Sequence, residues 1–398
     1  MVLLSGRAAG DTVVMTQTLI ADELIEQAQR ATKLMRFDSD SFREGLGVLL
    51  EDLNRGERPG ASHERLRGTL IGALATRLKV TAYLDQRSDL LKRPVQRPLF
   101  IFGIPRTGTT LLSNLLARDP ARRSPLTWEI DDPVPPVTND QLTSDPRALA
   151  RLEMEKKMVA ARPEMFKYYR NSAIYPNECM FFVMHDFKAL IWESRGRLPN
   201  YRDWLFDHAD LKSTYHYHKR YLQLLQAEAP GVWNLKMPSH ALWLPTLLEV
   251  YPDARLVWTH RDPYTATGSF CSLLSLSHQA FMGRVDTQWL GENCSWQAAR
   301  HADRAMDARE AIGEGRIIDV HYGELMRDPI GTVRKLYKSL GDEFTPAAEN
   351  GMRAWLADNP QDKFGKHEYK LAQYGLSVEK LAPLFERYLA RYDVEREG

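Results

Sequence analysis

Apolar positions along this chain change period several times, and each change marks an element. In the first hundred residues Ile20, Leu24, Ala28 and Leu34 recur at helical spacing. Ser41-Phe42-Arg43-Glu44 has a capping-box pattern, opening a helix with Phe42, Leu46, Leu49 and Leu53 on one face. A turn at Pro59-Gly60 precedes a third helix from about Ser62 to Leu84. From Pro98 onward the pattern differs: short unbroken apolar runs alternate with helical stretches, predicting strands near 98–103, 232–236, 255–260 and 316–321. Unbroken rather than alternating runs belong to strands covered on both faces, so the fold class is α/β, with the four strands in one parallel sheet flanked by helices. The expected organisation is an all-helical amino-terminal region over 1–95 and an α/β domain over 96–398 with a helical insert at about 140–230. Pro133, Pro135 and Pro136 mark a rigid excursion rather than a linker. The apolar faces of the first three helices are suited to cover a ligand site, to pack between subunits or to extend the core.

The first strand ends in a glycine-bounded turn, Gly103-Ile104-Pro105-Arg106-Thr107-Gly108, followed by Thr109, Thr110 and a helix through Leu115 and Leu116. Strand, loop and helix in this order let backbone N–H groups and a helix N-terminus cradle an anion. The Gly103-x-x-x-x-Gly108 spacing is that of a nucleoside-triphosphate loop, but the lysine that reaches the outer phosphates there is replaced by Thr109. The loop's cation is Arg106, before the second glycine.

Between Val232 and Leu274 lies a complete βαβ unit. Its first strand ends at Lys236 and its second delivers His260-Arg261-Asp262 at the carboxyl end, where open parallel sheets bind ligands. Ser269 follows Arg261 by eight residues, in the first turns of the next helix. A guanidinium fork and a hydroxyl in this relation can share one phosphate.

Together the two segments resemble the sulfotransferases that use 3′-phosphoadenosine 5′-phosphosulfate (PAPS). In that family a Pro-Lys/Arg-Ser/Thr-Gly-Thr-Thr loop holds the 5′-phosphosulfate, matched here by Pro105 to Thr110. An arginine followed eight residues later by a serine grips the 3′-phosphate, matched by Arg261 and Ser269. Leu235 to His240, Leu-Lys-x-Pro-x-His, is similar to the bacterial branch that includes lipid and polyketide sulfotransferases. The resemblance runs from about Pro98 to the end. It implies PAPS as donor, 3′,5′-adenosine bisphosphate (PAP) as product and no metal. Thr107, Gly108, Thr109 and Thr110 would supply donors to the 5′-phosphate, and Tyr322, which follows the fourth strand, would lie near the adenine unless it simply packs at the strand end. Lys363, Lys366 and His367, in the stretch Asp362 to Tyr369, resemble the family's late basic loop over the 3′-phosphate.

Sulfuryl transfer moves SO₃ in line from phosphate to an acceptor, so the protein must position both partners and neutralise the departing phosphate. Arg106 and Lys236 are the cations placed for this. An acceptor hydroxyl also needs a base. Glu129 lies nineteen residues after Thr110, where several branches of the family place a glutamate at the end of the next strand. His240 lies four residues past Lys236, near the position of the catalytic histidine in cytosolic animal relatives, which stands two past the lysine. Glu129 is slightly favoured, with His240 or a dyad as alternatives; His185, in an apolar run, ranks third.

The stretch Met165 to Trp192 is dense in aromatic and methionine side chains, a composition of cores and equally of apolar acceptor pockets. It suits a hydrophobic alcohol such as a sterol, a lipid or a polyketide; no basic groove for an anionic polysaccharide is evident. A nucleotide kinase would explain Gly103 to Thr110 but not the absent loop lysine or the Arg261/Ser269 pair, and a non-catalytic nucleotide-binding protein would have no use for Arg106, Lys236, Glu129 and His240 together. Composition narrows the partners further. With 53 basic against 52 acidic residues, nothing points to nucleic acid. Three scattered cysteines, Cys179, Cys271 and Cys294, suit a reducing cytoplasm and argue against a disulfide framework or a zinc site. No secretory leader or membrane span is evident, and a homo-oligomer is compatible with the pattern.

Overall fold

The computed structural model describes residues 18–161, 172–360 and 369–397. Its centre is a parallel sheet of five strands: β1 (Leu99–Gly103), β2 (Arg122–Arg123), β3 (Val232–Lys236), β4 (Arg255–His260) and β5 (Ile317–His321), in the order β2-β3-β1-β4-β5. The four strands predicted from apolar runs are thus in one sheet. The fifth, β2, carries two adjacent arginines and no apolar signal. Its charges are matched by partners outside the strand: Arg122 donates to the Tyr337 hydroxyl at 2.9 Å and pairs with Asp342, while Arg123 pairs with Glu129, six residues on, and lies over the Trp233 ring. Strand identity here comes from tertiary partners, not from local pattern.

Side chains of β1 alternate between two cores. Leu99 and Ile101 join Leu112, Leu115, Val257, Val320 and Val333 on one face. Phe100 and Phe102 join Leu235, Leu256 and Trp258 on the other. Both faces are buried, which is why the run reads as continuously apolar. β1 is the middle strand; the chain runs from it to β2 and β3 on one side, then crosses to β4 and β5 on the other. This reversal opens a crevice at the carboxyl ends of β1, β3 and β4.

The amino-terminal helices Ala21–Thr32, Ser41–Arg55 and Gly60–Gln86 share the larger core with the sheet. Ser41 is the first helical residue rather than the cap; its hydroxyl donates to Asp186 at 2.6 Å. Arg77, fully buried, pairs with Asp38 and Asp186 at 2.7 Å each and donates to the His185 carbonyl, locking the helical region onto the insert. Breaking such a pair strands a buried charge. Within the insert, Phe182 stacks on Tyr221 and Phe187 on Trp192, all fully buried. That part of the aromatic stripe is core. Met165, Phe166, Tyr168 and Tyr169 lie outside the described residues.

The insert contact also carries a pH-sensitive group. Glu193 is buried, accepting from Asn293 at 3.0 Å and Gln297 at 2.6 Å, both on helix Thr287–Ile312. Burial raises its pKa from 4.5 to about 7. The folded state therefore holds a proton that the unfolded chain releases, so this stability is complete below pH 4.5 and is lost as pH rises through about 7. At about 1.4 kcal/mol for each pH unit the loss is about 3 kcal/mol. Glu193→Gln is expected to flatten the fall of unfolding free energy across this window in urea titrations; an unchanged slope would show that Glu193 does not titrate on folding.

All three cysteines are free and buried. No helix among the described residues is long and apolar enough to cross a membrane.

Candidate functional site

The loop between β1 and helix Thr109–Leu116 is shaped by backbone geometry that few side chains allow. Gly103 has φ +155°, and a Cβ there would meet the Thr259 carbonyl at 2.7 Å. Gly108 has φ +89° and lies under the Tyr322 ring, which a Cβ would meet at 2.9 Å. Arg106 is left-handed as well, at φ +76°, without the freedom of glycine. Strain of this kind is held in place by surrounding contacts and gathers at ligand sites. The Thr107 hydroxyl is part of that support, donating to the Ile104 carbonyl at 2.8 Å and sharing a 2.6 Å hydrogen bond with Thr259. The N-cap residue, Gly108, has no side chain to cap the helix that follows, so the first-turn N–H groups face the loop.

Arg106 reaches across the crevice: its Nε donates to the Ser269 hydroxyl at 3.0 Å. Burial and the neighbouring Arg261 both lower its pKa below the usual arginine value, the mark of crowded positive charge. Arg261 donates to the Arg106 carbonyl at 2.9 Å and lies over the Tyr322 ring, 4.1 Å from its centre. Its remaining donors form a fork on Glu397, at 2.6 and 2.7 Å. Arg106, Arg261, Ser269 and Tyr322 therefore meet around one point above Gly108. Tyr369 lies along helix Pro263–Met282, its hydroxyl donating to the Thr265 carbonyl and its ring against Gly268. Lys363, Lys366 and His367 lie outside the described residues.

Lys236, at the end of β3, donates to the Thr110 hydroxyl at 3.2 Å and forms an ion pair with Glu178. The second carboxylate oxygen of Glu178 is buried without a hydrogen-bond partner among the described residues. Sequence reasoning missed this glutamate. It is a single acid ahead of an apolar run, fifty-eight residues from its partner, and no spacing marks it.

The two candidate bases have other company. Glu129 stands not at a strand end but inside helix Thr127–Asp131. It is buried, one oxygen on Arg123 and the other accepting from the Leu126 N–H at 3.1 Å, an N-terminal capping arrangement. His240 is fully buried in the turn Pro238–Leu242, with Nδ1 on the Tyr215 hydroxyl at 2.9 Å; burial lowers its pKa well below the normal value. His185 bonds the Tyr217 hydroxyl at 3.1 Å, and burial lowers its pKa to about 3. Beside Met237 a recess of only about 10 Å³, the size of a water molecule, is lined by Val183, Lys188, Leu211, Tyr215, Met237 and Trp243.

Residues 98–346 match the sequence profile of the sulfotransferase family. The chain is 26% identical over 330 residues to omega-hydroxy-beta-dihydromenaquinone-9 sulfotransferase Stf3 of Mycobacterium bovis and Mycobacterium tuberculosis, covering 75% of this chain and 76% of the relative. Among solved structures, sulfotransferase STF9 from Mycobacterium avium superimposes with a TM-score of 0.90 at 43% identity, covering 97% of this chain and 98% of that one. Sulfotransferase STF1 from Mycobacterium tuberculosis superimposes at 0.81 and 30% identity, covering 92% and 98%.

Proposed function

Since this chain belongs to the sulfotransferase family, we propose that it moves a sulfuryl group from PAPS to the hydroxyl of a hydrophobic small molecule. The observation that carries the reading is the convergence of Arg106, Arg261, Ser269 and Tyr322 around an uncapped helix N-terminus. Two phosphate-gripping elements side by side fit a nucleotide bearing phosphates at both its 5′ and 3′ ends. Backbone N–H groups of Gly108, Thr109 and Thr110 hold the 5′-phosphate. Arg261 and Ser269 take the 3′-phosphate, with Glu397 giving up the Arg261 fork as the donor arrives. Tyr322 packs where the nucleoside meets the loop. The dihydromenaquinone-derived substrate in the name of a relative supports a lipid-like alcohol.

In the transfer, the acceptor oxygen forms a bond to sulfur as the bond to the bridging phosphate oxygen breaks, and PAP leaves. Arg106 and Lys236 stabilise the charge that develops on the bridging and sulfuryl oxygens. Lys236, drawn to the donor, releases Glu178, which takes the acceptor proton. Glu178 is preferred because it pairs with Lys236 itself, whereas both oxygens of Glu129 are engaged with Arg123 and Leu126, and His240 is fully buried with Nδ1 on Tyr215.

Radiolabelled PAPS with a panel of hydrophobic alcohols tests the activity, and label transfer is expected without added metal. Arg261→Ala tests the donor site. Losing a charge-assisted phosphate contact costs about 2–3 kcal/mol of PAPS binding. Binding of adenosine 5′-phosphosulfate, which lacks the 3′-phosphate, should barely change in calorimetry. Equal losses for both ligands would make Arg261 a structural residue.

A further inference from the structure

We propose that Cys179, His218 and His240 form a buried site for a soft closed-shell metal ion, with Cu(I) the best match. The cysteine count and spacing gave no hint of this, because the three residues come from separate elements: the start of helix Met180–Val183, the middle of helix Lys212–Leu225 and the turn Pro238–Leu242. The fold brings the thiol and two imidazoles together, one ligand atom from each lying within 4.8 Å of the others, all three residues fully buried.

Two features point to an ion rather than a chance cluster. Nε2 of His218 and Nε2 of His240 are both buried with no hydrogen-bond partner among the described residues. A buried imidazole nitrogen without a partner is costly, and two beside one thiol are rarer still. Each ring is also held through its other nitrogen. The Tyr251 hydroxyl meets Nδ1 of His218 at 2.6 Å, and the Tyr215 hydroxyl meets Nδ1 of His240 at 2.9 Å. With the proton on Nδ1 and donated to the tyrosine oxygen, the Nε2 lone pair of each ring is free for an ion, the outer-shell pattern of metal-binding histidines.

Charge and coordination number select the ion. The surroundings are apolar: Phe100 stands edge-on to His240 at 4.9 Å and Phe182 packs on His218 at 4.8 Å. With one thiolate and two neutral imidazoles, a monovalent ion gives a neutral filled site and a divalent ion leaves a net positive charge in low dielectric. Thiolate and imidazole are ligands Cu(I) accepts readily, whereas Zn(II) in a structural site needs a fourth that this cluster does not offer. The ion would touch no reacting atom. It would brace the end of β3, because the Cys179 N–H donates to the Lys236 carbonyl at 2.9 Å.

Since the ligands are fully buried, loading belongs to folding. The test is expression in copper-supplemented medium, anaerobic purification, metal analysis and competition with bathocuproine disulfonate, with Zn(II) in parallel. The expected result is about one Cu(I) per full-length chain, an X-ray absorption fit to one sulfur and two imidazole nitrogens, and loss of the copper in Cys179→Ser. Tyr251→Phe, which keeps all three ligands, should weaken copper binding roughly 10- to 100-fold. Should Cys179→Ser be insoluble, Tyr251→Phe and the absorption spectrum of the native chain decide. Copper-free protein, copper retained by Cys179→Ser, an absorption fit lacking sulfur, or preference for Zn(II) would each overturn the assignment.

Discussion

Lys236→Met is expected to cut kcat by roughly 10²- to 10³-fold, the usual loss when one fixed donor to developing charge is removed. Affinity for PAP should change little, since the lysine acts on the bridging oxygen and the sulfuryl group rather than on the phosphates that anchor the nucleotide. Single-turnover transfer together with PAP calorimetry separates the two effects. The substitution has a structural consequence too. It leaves Glu178 without its cation in a site where Lys236 is only 5% exposed, and breaking a buried pair costs about 3–5 kcal/mol. A double variant, Lys236→Met with Glu178→Gln, should recover much of the lost thermal stability while staying inactive. Recovery of activity in that double variant, or full kcat in Lys236→Met, would reduce the lysine to a structural role.

The geometry of the loop and its neighbours was legible in the sequence because it is local. A strand, a glycine-bounded loop and an uncapped helix lie within twenty residues, and Arg261 and Ser269 lie on one strand–helix junction. Spacing alone fixes such geometry. The four long strands were legible for a related reason: burial on both faces erases alternation, leaving runs such as Leu99 to Phe102. β2 was not legible, since Arg122 and Arg123 become strand residues only through Tyr337, Asp342, Trp233 and Glu129. The Ser41 cap failed for the same physical reason. A hydroxyl that local pattern assigns to a helix end finds a stronger partner in Asp186, a hundred and forty-five residues away.

The surroundings of Lys236 were legible only in outline. A carboxylate at a given distance from the loop does not announce which way it faces, and Glu129 is taken up by Arg123 and its own helix end. Glu178 and Glu397, which meet Lys236 and Arg261, are pairings between distant segments that no periodicity records. The aromatic stripe divides for a similar reason. Phe182, Phe187 and Trp192 are core, and the recess beside Met237 draws its wall from several elements, among them Val183, Leu211, Met237 and Trp243.

Glu178→Gln should lower kcat by roughly 10²- to 10⁴-fold, the range for loss of a general base. Glutamine keeps the shape and can still accept a hydrogen bond from Lys236, so folding and PAP binding should survive. Glu129→Gln has the opposite signature. It weakens the hold on Arg123 inside the protein, so thermal stability should fall while kcat, measured on the folded fraction, stays within a few-fold of the native value. Full kcat in Glu178→Gln with a severe loss in Glu129→Gln would return the base to Glu129 despite its capping bond. Comparable severe losses in both single variants, with no further loss in the double variant, would mean that the two carboxylates act as a unit.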